Sequence, residues 1–410
     1  MKRHQYVRCG SHVKLSAAPW KSSRHASQGC ASSASDLLRL VESLLRVSLS
    51  MNLRRMCVLL AIGIFGHAVD ALPQTTTGRE VYERACAACH GSDGHGTPAA
   101  ESDYPLVPPD FADCNFSTRE PATDWVGVSH FGGPARAFSP LMPAFGDALS
   151  RTEVELAVAH ARSFCTDKAW PRGELNLPRA LVTTKAFPED EAVLTVIAGG
   201  GAITNKFVYE RRIGARDMFE VIAPLEFSER TPGDWTGGVG DLAFAFKRVL
   251  AHSVRRGSIF SAAAELVVPT GSTERGIGGG TTVLEPFVAF GQRLPARTFF
   301  QAQVGGGIPF DRDHADEAFW RMVVGQQFRQ GEFGRLWAPM VEVLGSRELS
   351  SDAATHWDVL PQVHVTLSTR QHIRANAGVR IPVNDRAGRS TQFLTYFLWE
   401  WFNGGLLTGW

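Results

Sequence analysis

The sequence predicts a multi-domain chain: a small all-α domain at residues 74–168, then an all-β antiparallel barrel of about 12 strands that crosses a membrane, residues 183–410. Three observations predict it. No cysteine follows Cys165, two helix-like segments bracket the run "CAACH" at residues 86–90, and beyond residue 183 the apolar period falls to 2 and stays there.

The formal net charge of +1 over 410 residues points to neither nucleic acid nor an acidic surface. Past the N-terminal region no stretch holds the 18 or more apolar residues of a spanning helix, which argues against a helical membrane protein.

At the N-terminus, Met51 opens "MNLRRMCVLLAIGIFGHAVDALPQ". Arg54 and Arg55 precede an apolar run from Met56 to Phe65, and Val69 and Ala71 are the small residues of a cleavage site. Residues 51–71 therefore read as a secretory signal peptide, and Met51 as the true start. Residues 1–50, basic and Ser-rich, read as a mis-assigned upstream extension, the alternative being a disordered arm.

Export leaves Cys86, Cys89, Cys114 and Cys165. The first two belong to Cys86-Ala87-Ala88-Cys89-His90, a C-x-x-C-H pattern in which two thiols add to the vinyl groups of a haem and the histidine reaches its iron. A zinc site would need a second ligand pair at motif spacing, which is missing. In an oxidising compartment Cys114 and Cys165 would most simply form a disulfide, the alternative being two separately buried thiols.

The second axial ligand is expected from a thioether or an imidazole. Between Leu72 and Cys165 the methionine is Met142, in "FSPLMPAFGDALS"; His95, His130 and His160 compete, His130 most seriously. Met142 opposite His90 would raise the reduction potential relative to two imidazoles. It would also close the open iron position that a peroxidase needs, so an electron carrier is expected over an enzyme.

Gly78 and Tyr82 stand one turn apart on a helix leading to Cys86, and Ser150-Arg151-Thr152-Glu153 forms a capping box ahead of "VELAVAHARSF". This set resembles a class I c-type cytochrome, with an N-terminal helix, C-x-x-C-H, a Met-Pro loop and a C-terminal helix. The resemblance implies one covalently attached haem c per chain, linked through Cys86 and Cys89 and held axially by His90 and Met142. The long segment Pro98 to Pro140 and the extra Cys114 depart from that pattern.

"AWPRGELNLPRALV", residues 169–182, carries two prolines and no period, so it reads as a linker. Alternation follows, as in "QHIRANAGVRIPV", where Ile373, Ala375, Ala377, Val379 and Ile381 alternate with His372, Arg374, Asn376, Gly378 and Arg380. Strands are expected to start near Ala192, Ile203, Met218, Val239, Gly257, Thr281, Arg297, Glu317, Leu336, Asp358, Gln371 and Gln392. Short loops such as "IGARD" and "STR" alternate with long polar ones such as "SERTPGDWTGGVG", the asymmetry of transmembrane barrels. The hairpin between the runs near Ala192 and Ile203 breaks that rule, being short where a long loop is due.

Phe299, Phe319, Trp320, Trp337, Trp357, Phe397, Trp399 and Trp401 read as an interfacial girdle. Arg374, Arg380, Glu220 and Glu226 are candidate lumen charges. "DRDHADE" reads as a solvated acidic loop, and the triple glycines as turns, since no P-loop Lys follows them.

The whole resembles an outer-membrane porin-like barrel joined to a cytochrome, similar in concept to the fused porin-cytochromes of iron-oxidising bacteria. The resemblance implies electron transfer, with extracellular electron exchange as its further reach, the cytochrome in the periplasm and the barrel in the outer membrane. Expected partners are periplasmic redox proteins, outer-membrane lipid and an extracellular electron donor or acceptor, with no nucleic acid. The alternative is a pore or transporter whose cytochrome is a redox docking or sensing module. A domain of this size is roughly 30 Å across, too wide for a barrel of about 12 strands, so it is expected outside the lumen.

Overall fold

The computed structural model describes residues 76–98 and 107–400. The predicted extension (1–50), the signal peptide (51–71) and Trp401 of the predicted girdle lie outside the described residues.

The first domain is helical: α1 (Gly78–Ala85), α2 (Ala87–His90), α3 (Cys114–Ser117), α4 (Ala122–Phe131) and α5 (Arg151–Ala161). Capping boxes start α1 (Thr77 with Glu80) and α5 (Ser150 with Glu153). The two helices cross where Gly78 lies against the Leu156 carbonyl; a Cβ there would come within 2.3 Å of that oxygen, so only glycine fits. Tyr82 is buried at this crossing among Phe111, Ala161 and Phe164. Cys114 and Cys165 are joined by a disulfide, which ties α3 to the chain just past α5.

The second domain is a closed antiparallel barrel. Its strands are β1 (Glu191–Gly199), β2 (Ala202–Ile213), β3 (Asp217–Thr231), β4 (Asp234–Val239), β5 (Leu242–Ser253), β6 (Ser258–Val268) and β7 (Val283–Arg293). They continue with β8 (Thr298–Pro309), β9 (Glu317–Gln326), β10 (Phe328–Arg329), β11 (Leu336–Glu348), β12 (His356–Thr366), β13 (Ile373–Pro382) and β14 (Gln392–Glu400). β4 and β5 lie end to end along β3, and β10 pairs with β11 beyond the end of β9. The 14 segments thus make 12 staves, and β14 pairs with β1 to close the ring. The short first hairpin is a glycine turn: Gly199, Gly200 and Gly201 all hold positive φ, and the stave count stands without a long loop there.

Alternation sorts the side chains into two faces. Leu194, Phe207, Phe244, Phe246, Val304, Val324, Val341 and Phe393 are exposed on the outside, an apolar belt far beyond what a soluble surface carries. Glu210, Glu220, Lys247, Gln301, Gln303, Glu342, Gln362, His364 and Asn376 are buried on the inside. Two residues read as girdle aromatics face inward instead: Phe299 and Phe319 are buried, because each falls on the lumen parity of its strand. Trp337 and Phe397 are exposed outside, as a girdle requires. Of the four candidate lumen charges, Glu220 is buried, and Arg374 pairs with the buried Glu400 and Arg380 with the buried Asp358; Glu226 is half-buried.

The stretch 169–182, read from the sequence as a linker, is no solvated tether. Together with residues 183–190 it forms a strap that enters the lumen from the short-turn end, turns near Leu181 to Thr184 and returns to begin β1. Gln301 Nε2 donates to the Pro178 carbonyl, Tyr396 Oη to the Arg179 carbonyl, Lys247 Nζ to the Lys185 carbonyl and Ser261 Oγ to the Ala186 carbonyl. Leu175, Ala186 and Phe187 pack with Val249, Ile259 and Ala289, while Leu177 and Ala180 pack with Phe299, Val323, Ala338 and Met340. Prolines and an absent period are no obstacle to burial here, because the inward-facing strand residues satisfy the strap's backbone groups.

Candidate haem site and its seat on the barrel

α1 delivers Cys86 to the start of a single turn, α2, whose end carries His90; the His90 amide donates to the Cys86 carbonyl at 3.0 Å. That turn holds Cys86, Cys89 and His90 at the spacing the motif needs, with both thiols free. The Tyr82 hydroxyl donates to the Gly91 carbonyl at 2.8 Å, fastening the segment after the motif to the α1–α5 crossing. Gly91, Gly94 and Gly96 take positive φ in the turn that follows.

A cavity opens beside this turn. Its wall holds Cys86 and His90 and, from the loop ahead of α5, Met142, with Phe111, Trp125, Leu149 and Val158 among the apolar residues between them. The His90 ring stacks on Phe111 at 4.6 Å, and its Nδ1 is buried without a hydrogen-bond partner. Burial lowers the His90 pKa to about 4, so the imidazole is neutral at physiological pH and has a lone pair to offer a metal. Burial likewise pushes the Cys86 thiol up to about 11, so in this enclosed setting it is held as the thiol. A thiol and an imidazole facing a thioether across an apolar, aromatic-walled space, with the second thiol, Cys89, on the same helical turn, suit the donor set and flat faces of a haem.

The competing histidines are elsewhere. His95 bonds Asp110 at 3.0 Å on the surface, His160 lies edge-on against Tyr82 and Phe164, and His130 sits against Gly146 and Phe131. None of the three is on the cavity wall.

One further residue, which the alternation gave no means to find, belongs to the barrel. Phe333, in the short turn between β10 and β11, is buried among Val126, Val154 and Val158, with Trp125 and Leu149 against the same cluster. Four of those five residues also line the cavity, so the barrel supplies the second layer of its wall. Gly127 makes room for it: a Cβ there would lie 2.8 Å from the Phe333 ring.

Polar contacts seat the domain around this aromatic peg. Arg136 donates to the Phe333 carbonyl, Asp124 bridges Arg136 and Arg329 at 3.2 and 2.9 Å, and Arg370 donates to the Ala137 carbonyl at 2.9 Å. Glu120 meets His372 at 3.0 Å, Arg119 pairs with Asp190, and Arg162 with Glu174 at the strap's entry. Arg329, Phe333, Arg370 and His372 all lie at short turns, so the helical domain rests on that end of the barrel, outside the lumen.

Residues 73–160 match the family described as "Cytochrome C oxidase, cbb3-type, subunit III"; the match spans the helical domain and none of the barrel. Among solved structures, the barrel is similar to the KdgM porin in complex with disordered oligogalacturonate, at 6% identity and TM-score 0.36, over 52% of this chain and 99% of that one. It is also similar to the NanC porin, at 8% identity and TM-score 0.37 over 51% and 98% of the two chains. The beta domain of the Bordetella autotransporter BrkA gives 14% and 0.35 over 52% and 98%. No curated protein matches the chain. A cytochrome c-type domain and a closed, porin-like barrel are thus joined in one polypeptide.

Proposed function

We propose that this chain is an electron carrier of the outer membrane. One haem c is attached through Cys86 and Cys89, ligated by His90 and Met142, and held at the periplasmic mouth of the barrel. The observation that carries the reading is the cavity whose wall brings Cys86, His90 and Met142 together. When bound, the group supplies an iron that takes up and releases one electron. The residues around it would do the rest: the thiols would anchor it, neutral His90 and Met142 would offer its iron an imidazole and a thioether, and Phe111, Trp125, Leu149 and Val158 would exclude water.

Support for the membrane comes from the exposed apolar belt, and for the orientation from the turns, since short turns face the periplasm in barrels of this kind. Partners are then periplasmic redox proteins on the haem side and, at the furthest reach of the reading, an extracellular donor or acceptor beyond the long loops. The alternative, a standing open solute pore with a redox docking module, is less well supported because the strap occupies the lumen.

The test is reduction from either side. In sealed, oriented vesicles, a membrane-impermeant reductant on the short-turn side is expected to reduce the haem promptly. Equal rates from the loop side would make the chain a conduit, and a purified protein with no haem absorbance at all would end the electron-carrier reading. Met142→His, replacing the thioether by an imidazole, is expected to lower the reduction potential in a redox titration.

A further inference from the structure

We infer that the barrel is a channel held shut by this chain's own strap, residues 169–190, with the Glu342 carboxylate as its latch. The inference concerns ion passage and does not depend on the haem.

Two observations carry it. The first is that the strap meets every side of the lumen. Arg179 pairs with Glu191 of β1 and Glu210 of β2, and the Glu189 amide reaches Met218 of β3. Lys247, Ser261, Gln301, Gln362, Asn376 and Tyr396 hold it from β5, β6, β8, β12, β13 and β14. Apolar packing adds Ala289 of β7 and Val323 of β9, and Glu342 completes the ring from β11. The contacts run from beside the short turns, at Met218 near the start of β3, to mid-strand, at Glu342 of β11, so the strap reaches every stave over that part of the lumen.

The second is the latch itself. Glu342 is fully buried, midway along β11. Its Oε1 accepts from the amides of Leu181 at 3.0 Å and Val182 at 3.1 Å, and from Gln362 Nε2 at 2.6 Å. Its Oε2 accepts from the amide and hydroxyl of Thr183 at 2.7 and 2.6 Å. Both oxygens face donors only, four of which come from the tip of the strap. A carboxylate satisfies all of them, whereas a glutamine must turn its NH2 toward donors on one side. These bonds fix the tip where the strap reverses, so the strap cannot leave the lumen without breaking them.

The experiment is current through planar bilayers holding the full-length protein in potassium chloride. Wild type is expected to pass almost no current, and Glu342→Gln to raise the open fraction about tenfold. Thr183→Val, which removes one of the bonds, is expected to give a smaller rise, and it decides the matter if Glu342→Gln fails to insert. Glu285→Gln, a lumen-facing change away from the strap contacts, is expected to leave the current at the wild-type level. A wild type that conducts steadily, or a Glu342→Gln protein that inserts and melts earlier yet stays silent, overturns the inference. None of these readings requires the haem to be reduced, so the electron-carrier proposal stands or falls separately.

Discussion

The helical domain hides hydrocarbon and shows charge; the barrel hides charge and shows hydrocarbon. Tyr82, Val154 and Ala161 are buried in the first, whereas Glu342, Glu210 and Lys247 are buried in the second while Phe207 and Phe244 stand exposed. The chemistry of the residues is the same in both regions, and what differs is the solvent each surface must meet. At the seat between them both habits operate together: an apolar peg, Phe333, is ringed by the ion pairs of Asp124, Arg136 and Arg329.

The sharpest way to separate the two regions is to remove the thiols. Cys86→Ala with Cys89→Ala is expected to abolish covalent haem altogether, read as a blank haem-stained denaturing gel. The barrel should be untouched, because neither thiol contributes to a strand or to the strap, so its heat-dependent gel mobility should persist. Loss of both signals would mean that the barrel needs a loaded haem domain in order to close.

A smaller effect is expected where the regions meet. Phe333→Ala removes a buried ring from a cluster that also walls the cavity, and large-to-small changes of this kind cost about 3 kcal/mol. Denaturant unfolding followed at the haem should shift while unfolding followed at the barrel stays put. Gly127→Ala probes the same socket from the other side, since its new methyl would press on the ring; overpacking costs about 1–3 kcal/mol. If both variants leave the haem-domain transition unmoved, the contact is incidental.

The comparison also explains what was legible in the sequence. Alternation reveals strands whichever face meets solvent, so the staves, their order and the rhythm of short and long loops could be read directly. The motif and the Ser150–Glu153 capping box are local, hence visible. The strap was not, because a segment with Pro171 and Pro178 and no period carries the local marks of a tether. Its burial is decided by Glu342, Gln362 and Tyr396, far along the chain, which no window can contain. Phe299 and Phe319 were misread for a related reason: an aromatic near a strand end belongs to a girdle only on the lipid parity, and a turn-side anchor of register is needed to know the parity. Phe333 was hidden because a phenylalanine in a short turn gives no sign of its partner.

The smallest expected effect lies at the turn after the haem motif, on the exposed side of the helical domain. His95 bonds Asp110, and that hydrogen bond, with the charge of Asp110, raises the His95 pKa above its ordinary value. A raised folded-state value means that the pair's contribution is fully present below the unfolded pKa and is lost as pH rises through the folded one. Asp110→Asn should return the His95 titration, followed by NMR of its ring protons, to about 6.5. Wild type should then hold a small advantage in melting temperature over the variant at about pH 5.5, and that part of it should vanish by about pH 9. Asp110 also accepts from the amides of Ala112 and Asp113, contacts that do not depend on His95. An advantage equal at both pH values would therefore assign the role of Asp110 to those backbone bonds, and the histidine would be a bystander on a turn that Gly91, Gly94 and Gly96 already shape.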